Sequence, residues 1–297
     1  MKYIFDLSII IPTINNPFKL KKLLRLIDNQ NIFLKKKIEI IIIYQGNLQF
    51  NNILKHKNIN KIKILTQKKK SLSNAKNLGM RVSRGLLVSF LDDDIIIGKK
   101  YLINIFLFFK KNKAIDIVFG SIKLKKKKLF YSRYMNNIES KINFFNLKKC
   151  LASAMIYKKN AKQFKFDERF GLGAPYPSSE ETDLIFNCLI KQKYEIKYYP
   201  KIDLIHPDDE VLNKDLKQIS KKFFSYGIGT GAVYAKYMKK NYIFIILYLY
   251  ELAKSVIGIS ISIFRFNSFL LQKHMSLLSG KILGFLRFSL SQKNHKI

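Results

Sequence analysis

Residues 86–95 read LLVSFLDDDI: an apolar run that passes straight into Asp92, Asp93 and Asp94. A continuous apolar run without alternation predicts a strand buried on both faces. Acid is scarce in this chain, with 20 Asp and Glu against 55 Lys and Arg, so three carboxylates at one strand end call for a reason. Crowded like charges repel unless something neutralises them. A hard divalent cation does so with oxygen ligands. In a D-x-D spacing at a strand end, Asp92 and Asp94 are expected to point to one side and Asp93 elsewhere.

Outward from this stretch, strands are predicted at 7–13 (LSIIIPT), 38–44 (IEIIIIY), 62–65 (IKIL) and 115–120 (IDIVFG). Helices are predicted at 17–30, 73–84 and 99–111. Strands interleaved with helices imply an α/β fold with a largely parallel sheet and right-handed crossovers. Ligands of such sheets sit beyond the carboxyl ends of the strands, where Thr13 and the aspartates fall.

After Gly120 the rhythm breaks. A strand is expected at 151–157, and a loop rich in Gly, Pro and Ser leads to a helix that Ser178 or Ser179 can cap. Glu180, Glu181 and Asp183 lie in its first turn, where the helix dipole favours acids. A strand at 194–200 follows, and IDLIHP closes the region at His206 and Pro207.

From about residue 208 the chain changes character, and residues 241–264 are its most apolar part. Glu251 and Lys254 split that run into stretches each short of the roughly 20 residues a spanning helix needs. Taken as one helix, it gathers Glu251, Lys254, Ser255, Gly258, Ser262 and Arg265 on one face, with Ser260 the main exception. A second apolar segment follows at 266–290. Both predict membrane association, peripheral or integral, through about residues 241–290.

The formal charge of +35 attracts polyanions. The Lys runs at 35–37, 68–70 and 125–128 are scattered, however, as compositional drift toward Lys, Ile and Asn would leave them. No nucleic-acid partner is expected. Cys150 and Cys188 lack any C-x-x-C spacing, which argues against a metal knuckle or disulfide scaffold. The N-terminus MKYIFDLSIIIPT lacks a signal-peptide cleavage pattern, so the protein is expected on the cytoplasmic side.

SIIIPT, SLSNAKNLG (71–79), FLDDD and EETDL (180–184) occur in the order and rough spacing of family 2 glycosyltransferases. Over about residues 7–207 the chain resembles that family. The resemblance implies a GT-A fold, Rossmann-like with a mostly parallel central sheet and flanking helices, followed here by a helical membrane-associated region. It implies a nucleotide-sugar-binding half at 1–120, an acceptor-binding half with the catalytic base at 121–207, and a tail at 208–297.

The activity implied is inverting transfer of a sugar from a nucleotide diphosphate donor to a hydroxyl of a glycan or lipid-linked acceptor, in cell-surface polysaccharide synthesis. Mn²⁺ or Mg²⁺ is the implied cofactor, with Asp92, Asp94 and His206 as metal ligands. Pro12, Thr13, Gln45, Lys76, Asn77, Asp92 and Asp93 would line the donor site. Lys76 stands where the family commonly has Arg, and YQGN (44–47) stands where it often has an Asp pair, which leaves the nucleotide open. Glu181 occupies the position of the family's base Asp, with Glu180 and Asp183 as alternatives. The competing reading is a basic membrane-surface or nucleic-acid-binding protein with a degenerate, non-catalytic GT-A domain.

Overall fold

This computed structural model describes residues 3–14, 17–46, 57–125, 129–159, 165–192, 194–207 and 215–293. Asn47 of YQGN, Lys126 to Lys128 of one basic run, and residues 208–214, where the tail was expected to begin, lie outside the described residues. The chain forms two compact units. One comprises Met1–Phe166 with Leu184–Asp208, the other Asp167–Asp183 with Asp209–Ile297.

The first unit is built on β1 (Phe5–Thr13), α1 (Pro17–Leu34), β2 (Ile38–Tyr44), β3 (Lys61–Thr66), α2 (Leu72–Val82) and β4 (Gly85–Phe90). All seven residues of β2 are buried, as its unbroken β-branched run demands. Glu39 survives inside that run because its carboxylate accepts bonds from the Ser8 hydroxyl and the Arg84 amide. α2 begins with a Ser71 cap that accepts from the Asn74 amide, one turn-defining bond ahead of the predicted start. It lies so close to β1 that a side chain at Gly79 would meet Ile10 at 2.4 Å.

The sheet continues through β5 (Ile96–Ile97), α3 (Tyr101–Lys111), β6 (Ile117–Leu124), β7 (Ser140–Lys141), β8 (Met155–Lys158), α4 (Glu180–Asn187) and β9 (Ile196–His206). α4 carries the chain from the second unit back into the first. Strand order is β3-β2-β1-β4-β8-β6-β9-β5, with β7 on β9. Pairings β1–β2, β1–β4, β2–β3 and β6–β9 are parallel, whereas β8 runs against both β4 and β6. β1, β2, β3, β4, β6 and β9 therefore share one direction, and their carboxyl ends share one edge. The strand expected at 194–200 begins at Ile196 and runs on through IDLIH to His206, with a register shift opposite Gly120. Pro200 has no amide hydrogen to keep the ladder regular, and a side chain at Gly120 would strike the Ile202 carbonyl at 2.2 Å.

The second unit holds α5 (Leu216–Met238), α6 (Ile243–Phe264) and α7 (Ser268–Lys293). α5 and α7 meet backbone to backbone. A side chain at Gly227 would lie 2.6 Å from the Leu277 carbonyl, one at Gly231 1.9 Å from that of Lys281, and one at Gly284 2.0 Å from that of Ile228. Two glycines spaced i, i+4 on each helix (Gly227 and Gly231, Gly280 and Gly284) are what permits this approach.

Candidate active site

β4 ends at Phe90, and the chain must then reach β5 at the far end of the sheet. Residues 91–95 make that crossing along the carboxyl edge. Asp93 and Asp94 sit in a turn, closed by the Ile95 amide on the Asp92 carbonyl. The turn, not strand alternation, places their side chains. Thr13, at the end of the neighbouring β1, donates its hydroxyl to Asp93. Burial pushes the Asp93 carboxyl above its ordinary pKa, a shift that Thr13 opposes and the adjacent Asp94 reinforces. Lys19 reaches Asp94 at 3.8 Å.

β5 pairs antiparallel with β9, Ile96 opposite Ile205, and this register brings the end of the aspartate turn alongside His206. The His206 Nδ1 lies 2.6 Å from the Pro207 carbonyl, which can only accept, so Nδ1 carries the proton. In the neutral ring Nε2 then keeps its lone pair, the arrangement a metal- or diphosphate-facing histidine needs. The Tyr131 ring lies 5.0 Å away. Among the described residues no group of three or more His, Cys, Asp and Glu side chains forms a complete metal cage. The oxygens of Asp92 and Asp94 suit Mg²⁺ or Mn²⁺, which one or two carboxylates hold when substrate phosphates supply the rest.

Toward β2 the edge is lined by Pro12, paired with Ile43, and by buried Gln45, whose amide donates to the Thr13 carbonyl at 2.9 Å. The Gln45 side-chain oxygen accepts from the Ser71 amide at 2.8 Å and so fixes the start of α2. Half of the hydrogen-bonding capacity assigned to base reading is therefore structural. Asn77 is committed similarly: both ends of its amide bond the Phe166 backbone at 2.9 Å. Lys76 is buried with its ammonium 5.2 Å from the Phe166 ring centre. Sequence reasoning passed over Gln67, next to Tyr44 through a 2.8 Å backbone bond. Its side-chain nitrogen faces the carbonyls of Lys69 and Ser71, while its buried oxygen has no donor among the described residues. A buried acceptor left open beside this edge fits a ligand with N–H groups.

The acids at the start of α4 differ sharply. Glu180 is buried, Glu181 half-buried, and Asp183 almost wholly buried. Lys236 of α5 donates to Asp183 and, at 2.8 Å, to Asp167, while Tyr237 bonds the Asp183 carbonyl at 3.0 Å. Burial lifts the Asp183 carboxyl, and Lys236 offsets this only in part. Burial also acts on Asp167, but bonds from Arg169 and Lys236 outweigh it and hold that carboxyl well below the usual range. Neither expected cap is conventional. Ser178 points its hydroxyl at the carbonyls of Ser225 and Tyr226, and Ser179 adopts φ 69°, a strained left-handed conformation directly before Glu180. α5 presses on this segment: a side chain at Gly229 would meet the Ser178 hydroxyl at 2.2 Å. Asp167, Lys236 and Gly229 thus hold the acidic turn, and none was singled out from sequence. The glycine spacing in SYGIGTGAV (225–233) was a signal for Gly229 alone.

No curated protein sequence matches the chain. Among solved structures, the mannosyltransferase PcManGT from Pyrobaculum calidifontis, in complex with GDP-Man and Mn²⁺, is similar in fold at 12% identity and TM-score 0.62, over 96% of this chain and 88% of that one. S. aureus TarS 1-349 matches at 14% identity and TM-score 0.54, over 99% of this chain and 92% of that one. Against a longer TarS chain the figures are 17% and 0.55, over 78% of this chain but 43% of TarS. At these identities the likeness shows fold alone. The profile of Glycosyl transferase family 2 matches residues 8–167, more than half of the sequence, from within β1 past the aspartate turn and β8. The chain belongs to glycosyl transferase family 2.

Proposed function

We propose that the protein is an inverting glycosyltransferase that moves a sugar from a nucleotide diphosphate to a hydroxyl of a glycan or lipid-linked acceptor in cell-surface polysaccharide synthesis. The observation that carries this reading is the aspartate turn, laid along the carboxyl edge of the parallel strands and tied to β1 through Thr13 and Asp93. The similar folds point the same way on donor class: PcManGT is in complex with GDP-Man and Mn²⁺, and TarS 1-349 with UDP-GlcNAc.

Residues 1–120 supply the donor side. Pro12, Thr13 and Gln45 line its edge, with Lys76 and Asn77 bracing the floor against Phe166. Asp92 and Asp94, with His206 beside the same turn, would hold Mn²⁺ or Mg²⁺. Such an ion acts as a Lewis acid on the leaving nucleoside diphosphate. The acceptor side falls in residues 121–207. An acceptor hydroxyl is a weak nucleophile, and a carboxylate must take its proton on the face opposite the leaving group. This reading takes the half-buried Glu181 as the base, supported by the engagement of Asp183 with Lys236 and by the burial of Glu180. Residues 208–297 attach the enzyme to the cytoplasmic membrane face. Among the described residues one helix, α6, is long and apolar enough to cross a bilayer by length and composition.

Calorimetry of UDP, GDP, dTDP and CDP binding, with Mn²⁺ and with chelator, tests the donor site. One nucleotide is expected to bind in a metal-dependent way, and Asp94→Asn to weaken it at least about tenfold, the loss of one charged ligand contact. Absence of binding by all four would leave the family membership standing and favour a degenerate domain.

A further inference from the structure

α6 buries most of its polar residues and exposes apolar ones. Its buried face carries Glu251, Ser255 and Ser262 beside Phe244, Leu247 and Tyr248. Its outward face, which includes Ile246, Leu249, Tyr250, Val256, Ile257 and Ile263, is exposed and apolar except for Ser260. α7 meets the first two of these groups, the Lys281 ammonium donating to the Glu251 carbonyl at 2.6 Å and to the Ser255 hydroxyl at 3.0 Å, while Ser262 donates to the Gly258 carbonyl within α6. A water-facing helix of this chain would be studded with Lys. Lys and Arg make up 55 of 297 residues, nearly one in five, yet α6 has Lys254 alone in 22, and Lys254 turns inward to Glu251. Compositional drift has been kept off this face, which marks its solvent as something other than water.

α7 decides how α6 meets lipid. The two helices run antiparallel, with Lys281 beside Glu251, His274 where a side chain on Gly258 would lie, and Phe285 stacked on Tyr248 at 4.8 Å. Were α6 to span, α7 would enter with it and carry half-buried Lys273 and His274 and exposed Arg287 to the depth of the same hydrocarbon. Aromatic and basic residues instead flank α6 at both ends: Lys239, Lys240 and Tyr242 before it, and Arg265 and Phe266 after it, all exposed. These are headgroup-level residues, which spanning and interfacial helices alike carry at their ends, so the charged side chains of α7 decide between the two.

We propose that α6 lies flat at the headgroup boundary of a bilayer bearing anionic lipid, outward face down, and spans nothing. This rests on the membrane attachment proposed above and deepens it. Lys239, Lys240 and Arg265 meet the anionic headgroups, and the net charge of +35 draws the protein to them. The apolar face sinks about 5–10 Å into the headgroup and acyl boundary.

The chain contains no Trp, so single tryptophans report without background. Ile246→Trp, Val256→Trp and Phe264→Trp, each at an exposed position, would be made in the full-length protein. They would be bound to vesicles of phosphatidylglycerol and phosphatidylcholine containing lipids brominated at graded depths. The expected result is flotation with these vesicles but not with phosphatidylcholine alone, and the same shallow quenching depth at all three sites. A depth that rises at residue 256 and falls again at 264 would overturn the flat placement while leaving membrane attachment intact. Equal flotation with both lipids would overturn the anionic preference. Failure to float, with a dimer in detergent-free buffer, would assign the face to a second copy and overturn attachment itself. Nucleotide calorimetry on the same variants stays independent of all these outcomes and carries the glycosyltransferase reading separately.

Discussion

Asp93 and Asp94 are neighbours in sequence but do different things: one closes onto Thr13 of β1, the other stands near Lys19. The same division of labour separates the three acids of α4. If Glu181 is the base, Glu181→Gln should lower transfer about 10²–10⁴-fold while nucleotide affinity stays unchanged, because the base touches only the acceptor proton. Transfer rates beside calorimetry would check this, and an equal loss in Glu180→Gln with none in Glu181→Gln would move the role. Asp167 makes a prediction in pH. Its carboxyl is held below the ordinary aspartate value of 3.8 in the folded state, so its stabilising contribution is complete above about pH 4 and fades as pH falls further. Urea titrations between pH 4 and 2 should show the unaltered protein losing stability more steeply than Asp167→Asn. Asp183, raised by burial, has the opposite sign, and its change falls mainly above that window.

α5 shows what one element can do for a site it does not belong to in sequence. Gly227 and Gly231 face α7, Gly229 admits Ser178, and Lys236, about two turns from Gly229, binds Asp183 and Asp167. Lys236→Met would strand a buried carboxylate, at a cost of about 3–5 kcal/mol. Because the Asp183 carboxyl is already raised, protonation relieves that cost at low pH. The loss measured by urea unfolding should therefore be larger at pH 8 than at pH 5, and Lys236→Arg should recover part of it. Gly231→Leu tests the helix crossing. Its side chain would begin 1.9 Å from the Lys281 carbonyl, so a destabilisation at or beyond the upper end of about 1–3 kcal/mol is expected, with thermal unfolding as the readout. Elements such as β2 were legible to the residue because an unbroken β-branched run has one stable environment, the middle of a covered sheet. The aspartate turn was legible for a related reason: acid is rare here, and its position at a strand end has few explanations. α5 was not legible. Its function lies in contacts with residues about 50–70 positions away, and glycine spacing does not name its partner. β7 and β5, two residues each, carry too little pattern to be seen at all.

At the scale of the molecule, the compact units do not follow chain order, because Asp167–Asp183 clusters with the C-terminal helices and not with the sheet that precedes it. The reason is visible in its side chains. Phe170 and Tyr176 lie 6.0 and 5.4 Å from Phe288 of α7, Arg169 stacks over the same ring at 5.0 Å, and Lys236 satisfies both aspartates that bound the segment. A boundary near residue 208, natural from composition, would therefore cut through a packed unit and strip the acidic turn of every contact named here. Truncation after Pro207 is expected to remove the membrane-facing helices and, at the same time, to expose Phe170 and Tyr176 and leave Asp183 without its cation. The shortened chain should bind 8-anilinonaphthalene-1-sulfonate, and amide hydrogen exchange should show residues 167–183 unprotected while β1, β2 and β4 stay protected. If instead 167–183 kept its protection, the helical tail would be a membrane anchor only, and the support it gives to Glu181 through α5 would have to be withdrawn.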